Sequence, residues 1–99
     1  MIDIQVKEYQ KAKLLFRALD NTRRRMILQS ILIKPKNVSD IIRSVKLNQP
    51  ETSMHLAILR KANLVLTRKK GKEVFYSINA PQVKFANDIS KLINNTIDG

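Results

Sequence analysis

Ninety-nine residues with 43% hydrophobic content, only two Gly and three Pro make one folded domain with a single modest core, and exclude a disordered tail. Nineteen Lys and Arg against eight Asp and Glu give a formal charge of +11, and the absence of Cys excludes disulfides. With one His, no nucleophile beside a candidate base, no paired carboxylates and no glycine-rich phosphate loop, the chain reads as no enzyme and as needing no cofactor.

In chain order, the first stretch, MIDIQVKEYQKAK, is too charged for the apolar region of a signal peptide. Residues 5–19 have helical spacing, with Leu14, Leu15, Ala18 and Leu19 on one side. Asp20 is the expected N-cap of a second helix, TRRRMILQSIL, whose stripe is Ile27, Leu28, Ile31 and Leu32 and which Lys34-Pro35-Lys36 ends. Its mostly apolar run, 26–33, is far too short for a membrane span, so the chain reads as a soluble cytoplasmic protein with no membrane partner. Arg23, Arg24 and Arg25 oppose the dipole of that helix's first turn, so they are not there to stabilise it; some of them, with Lys36, could reach phosphates.

Asn37 or Ser39 caps a short third helix, SDIIRSV, and Lys46-Leu47-Asn48 turns the chain into a fourth, from 49 to 62. Asn48 and Glu51 have capping-box spacing, which outweighs a role for Glu51 in accepting from cytosine, and Pro50 suits a first turn. Inward, Thr52, His55, Leu56, Leu59 and Ala62 make a buried stripe; outward lie Gln49, Pro50, Ser53, Met54, Ala57 and Lys61. Such small and mildly polar groups can approach base edges closely. Asn63 stops the helix in a left-handed conformation. LVLTR and EVFYSI then form a hairpin around KKGK, with Gly71 in the turn, and Pro81 opens a last helix, 81–96.

Charge is uneven along this order. From Lys34 to Lys72 ten basic residues face two acidic ones, a net +8, which points to a polyanion such as nucleic acid. Arg68, Lys69, Lys70 and Lys72 crowd the hairpin tip, where they help no core and suit phosphates or a minor groove; a solvated turn that blunts edge pairing is the plainer use of the same charges. Four helices, a basic hairpin and a closing helix make residues 1–99 one winged helix-turn-helix domain, mostly α with a small β-hairpin. Val6, Tyr9 and Leu14 in the first helix, and Phe85, Ile89, Leu92 and Ile93 in the last, exceed what a small core needs, and pairing across a two-fold axis would bury them.

LFRALDNTRRRMIL, VSDIIRSVKLNQPETSMHLAILRKANLV and GKEVFYSIN, across about residues 14–79, resemble the ArsR-type bacterial repressors. The resemblance implies a homodimer through the terminal helices, with the helix 49–62 in the major groove of double-stranded DNA and the wing, 68–72, beside it. It places Gln49, Pro50, Ser53 and Met54 at positions that contact DNA in the family. Met54 stands where the family pattern usually has His; His55 matches a second, more buried His. Asn37 and Ser39 align with the Cys-x-Cys that binds metal in many members, and the last helix has no His, so no metal site and no metal sensing are expected. The sequence therefore reads as a sequence-specific dimeric repressor whose effector is not legible. A winged-helix adaptor for a protein partner and a non-specific nucleic-acid coat are the competing readings.

Overall fold

Asparagine starts three of the helices. Asn21, Asn37 and Asn48 each turn a side-chain oxygen onto the backbone N–H three residues on, at 3.0 Å to Arg24, 2.9 Å to Asp40 and 2.8 Å to Glu51. The computed structural model describes residues 6–98, with side chains described from Val6 to Lys91. In order these are α1 (Val6–Leu19), α2 (Thr22–Ser30), β1 (Lys36–Asn37), α3 (Val38–Val45), α4 (Gln49–Lys61), β2 (Val65–Lys70), β3 (Glu73–Ile78) and α5 (Ala80–Asp98).

Four sequence expectations need correction. The cap of α2 is Asn21, not Asp20, because the oxygen that meets Arg24 N is one residue further on. The helix closes at Ser30, five residues before Pro35, where Ile31 N–H and Leu32 N–H fold back onto Leu28 and Gln29 carbonyls. Leu32 thereby leaves the predicted stripe and lies exposed. The short strand β1, two residues long, has no signal in the sequence. Finally, the capping box is only half made: Asn48 caps, but the Glu51 carboxylate turns toward Arg23 and His55 instead of the Asn48 N–H.

The core is the apolar stripes of α1 to α4 closed by the root of the hairpin. Ile27 and Ile31, Ile41, Leu56 and Leu59, and Leu64 and Val65 are all fully buried there, with Ala86 reaching in from α5. Thr52 is buried with them, and its hydroxyl donates to the Asn48 carbonyl at 2.8 Å, so this buried oxygen is satisfied. Two non-glycine residues take left-handed backbone, Lys46 (φ 59°) between α3 and α4 and Asn63 (φ 62°) after α4, and Gly71 (φ 63°) takes it at the hairpin tip.

The sheet order is β1-β3-β2, all antiparallel, with Lys36 opposite Tyr76, Thr67 opposite Tyr76 and Arg68 opposite Phe75. Side chains alternate between faces. Buried Val65 fixes one face toward the core, and with it go Thr67, Lys69, Val74 and Tyr76; Leu66, Arg68, Lys70, Phe75 and Ser77 face the other way.

Candidate nucleic-acid interface

Helix α4 divides as its periodicity predicts. Thr52, His55, Leu56, Leu59 and the capping Ala62 are buried, whereas Gln49, Pro50, Ser53, Met54, Ala57 and Lys61 are all exposed. Half of the Met54 surface is open to solvent, an apolar group on a face that carries no acidic side chain. Beside this face the sheet adds groups that the sequence did not single out. Ser53, Ala57, Arg60, Lys61 and Tyr76 line one open hollow between α4 and the hairpin. Tyr76 enters through sheet register, and Arg60 through its place one residue before Lys61; neither has a sequence signature of its own.

The four wing cations do not act as one group. Lys69 shares the face of Tyr76, on the side of α4; Arg68 and Lys70 lie on the opposite face; Lys72 follows Gly71 in the turn. Among the described residues none of the four forms an ion pair with a carboxylate. Glu73, the acidic residue nearest the tip, instead accepts from the Asn37 side-chain amide at 3.0 Å.

The arginine triplet behaves differently: Arg24 is withdrawn from any phosphate, while Arg23 and Arg25 stay exposed with partners inside the fold. Arg24 is buried: its Nε donates to the Ala18 carbonyl at 2.8 Å, one terminal nitrogen to the Arg17 carbonyl at 3.0 Å, and the other meets His55 Nδ1 at 3.2 Å. These bonds satisfy carbonyls at the end of α1 that have no partner within the helix. Arg25 likewise donates to the Leu19 carbonyl at 2.7 Å, and Arg23 pairs with Glu51. Because a guanidinium can only donate, His55 Nδ1 must accept, and the neutral ring carries its proton on Nε2. That buried nitrogen lies 3.5 Å from the Glu51 carboxylate, beyond a normal hydrogen bond, and has no other partner. The Arg23 hydrogen bond holds the Glu51 carboxyl below its ordinary value; partial desolvation opposes this, while the Arg23 charge and His55 reinforce it. Glu51 is thus occupied in joining α2 to α4 and is not presented to a base.

The residues expected at a two-fold interface are distributed as follows. Val6, Tyr9 and Phe85 are exposed on the chain by itself, and Leu14 and Ile89 are partly buried. Leu92 and Ile93 lie outside the described side chains. No helix among the described residues is long and apolar enough to cross a membrane.

A turn with left-handed Lys46 between α3 and α4, a three-stranded sheet and a hairpin beside the second helix define a winged helix-turn-helix. The sequence profile of the ArsR family of bacterial regulatory proteins matches residues 21–67. The chain is 38% identical over 78 residues to the transcriptional activator HlyU of Vibrio cholerae, a match spanning 79% of this chain and 72% of that protein. It is also 38% identical over 90 residues to an uncharacterised HTH-type transcriptional regulator of Methanocaldococcus jannaschii, spanning 90% of this chain and 98% of that one. Among solved structures, HlyU from Vibrio cholerae superposes with a TM-score of 0.70 at 32% identity over 89% of this chain and 97% of that chain. NolR from Sinorhizobium fredii gives 0.69 at 27% identity over 93% and 96%. The chain belongs to the ArsR family, the DNA-binding winged helix-turn-helix regulators of transcription.

Proposed function

We propose that the chain is a sequence-specific transcriptional repressor that binds double-stranded DNA as a homodimer. Helix α4 enters the major groove, with Gln49, Pro50, Ser53 and Met54 toward the base edges and Lys61 toward the backbone. Gln49 can pair bidentately with adenine, Ser53 can donate or accept, and Met54 can lie against a thymine methyl. Lys69 and Lys72 serve the flanking backbone or minor groove, while Arg68 and Lys70, on the far face of the wing, are turned away from the duplex. The observation that carries this reading is the undivided exposure of that α4 face beside a wing whose cations have no carboxylate partner among the described residues. The open positions of Val6, Tyr9 and Phe85 support pairing through α1 and α5. Repression follows from occupancy alone: a bound dimer occludes a promoter.

Selection from a random duplex library at near-physiological salt tests the proposal. An enriched inverted repeat with half-sites about ten base pairs apart is the expected outcome. Retention without enrichment would replace it with a non-specific coat, and no retention with an adaptor for a protein. On the selected duplex placed across a promoter, added protein should lower transcript yield; a rise would make the chain an activator.

A further inference from the structure

The face of the sheet turned away from α4 carries a groove that the reading of bases does not use. Its floor is Phe75, partly buried, and its walls are Pro35 and Lys34 on one side and the Arg68-Lys69-Lys70 run on the other, enclosing about 620 Å³. Around the Lys34-Pro35 corner the ring of Phe75 also floors a second hollow, which brings in Lys36 and Arg43. The register places Lys34 and Pro35 beyond Lys36, toward the root of the hairpin and away from Gly71. From Glu73 at the tip end to Ser77 at the root, the groove therefore runs roughly 13 Å, the span of about four extended residues.

Its charge is one-sided, and the nearby carboxylates are already engaged. Glu73 is held by Asn37, and Asp40 is paired with Arg43. Lys34, Arg68 and Lys70 have no carboxylate partner among the described residues. A phosphate backbone would be served by the cations alone. It would make no use of a partly buried aromatic ring flanked by Pro35, nor of Leu66, which stands on the same face with about half its surface open. Cations around an apolar floor match a chain bearing both carboxylates and an aromatic side chain.

We propose that this reverse face of the wing binds an acidic, aromatic-bearing segment of a protein partner, and does so while α4 is on DNA. The segment lies along the groove with its aromatic group on Phe75 and its carboxylates against Lys34, Arg68 and Lys70. No residue offered above for pairing the two subunits lines this groove.

A fluorescent peptide of Asp and Glu around one Phe, titrated by anisotropy against the full chain, tests this. The free chain should bind it, and the chain saturated with its selected duplex should bind it within about threefold of the same affinity. Exchanging the peptide's Phe for Ser should weaken binding about tenfold. Lys34→Glu and Phe75→Leu should each do the same, with duplex affinity changed less than about twofold. Lys34 is exposed and leaves folding untouched, so K34E keeps the test valid should F75L disturb the sheet. No binding, equal binding of the Ser peptide, or indifference to K34E overturns the proposal. Displacement of the peptide by duplex also overturns it, by making the groove part of the DNA surface. If no duplex is selected, the titration of the free chain still stands by itself.

Discussion

The joint between α2 and α4 and the wing are built from the same kind of residue to opposite ends. At the joint, Arg23, Arg24 and Arg25 find the Glu51 carboxylate, three carbonyls at the end of α1 and the ring of His55. On the wing, Arg68, Lys69, Lys70 and Lys72 meet no carboxylate among the described residues. Both sets are positive triplets or longer in the sequence, and both contribute to the +11 charge. The difference teaches that a basic run identifies a polyanion's site only when the fold leaves it unspent. A guanidinium beside an unfinished helix end is consumed at once by that helix's carbonyls. On the hairpin, none of the four wing side chains donates to a carbonyl among the described residues, although β2 is an edge strand with open backbone groups.

The strongest way to break the comparison is to make Arg24 behave like a wing residue. Arg24→Met should lower the unfolding free energy by about 3 kcal/mol or more, since it strips donors from buried carbonyls and from His55. Urea denaturation measures this, and a loss below about 1 kcal/mol would mean that Arg24 is no more structural than Lys69. The reverse substitution sharpens the contrast. Lys69→Ala should leave stability within about 0.5 kcal/mol while reducing the slope of log affinity against log salt by about one.

Next in size is the turn that sets α4 against α3. Lys46 takes left-handed backbone at φ 59° with its side chain exposed, so Lys46→Gly should raise stability by roughly 0.5 kcal/mol, read as a shift of the denaturation midpoint at unchanged slope. The smallest effect belongs to the exposed end of the joint. Glu51 has its folded-state value below the ordinary 4.5, so its contribution is present above that pH and is lost as pH falls through the lower folded value. Denaturation of wild type and Glu51→Gln from pH 7 to pH 3 should show a gap that is widest near neutrality and closes below about pH 4.5. A gap that widens in acid would contradict the assignment of Glu51 to Arg23.

Much of this molecule is visible in its letters because so many of its decisions are local. The inward and outward faces of α4 follow from a 3.6-residue period; Asn37, Asn48, Asn63 and Gly71 each answer a backbone need within three residues of themselves. What escaped reading depends on residues far apart. Arg24 differs from its two neighbours only through partners six, seven and thirty-one residues away. Strand β1 exists because β3 passes beside it, and two residues carry no period. Tyr76 joins the α4 hollow, and Arg68 parts from Lys69, only once register decides the face of each. Asp20 lost to Asn21 by a single position, a choice between neighbouring oxygens that composition cannot make.

The root of the hairpin is closed by a clasp. The Asn79 side chain donates to the Asn63 carbonyl at 2.8 Å, Asn79 N–H to the Leu64 carbonyl at 3.0 Å, and the Gln82 amide to the Ala62 carbonyl at 3.2 Å. The chain leaves the end of α4 and returns to the start of α5 at this fastened point; Val65 and the β1 pairing at Phe75 and Tyr76 anchor the rest of the hairpin, and only its tip around 69–72 stands clear of the scaffold. At that tip, Gly71 has nothing within 4 Å of where a Cβ would sit. A longer or differently charged tip can therefore be spliced in without re-engineering the helices, which makes the wing the part of this architecture that evolution, or a protein engineer, can exchange first.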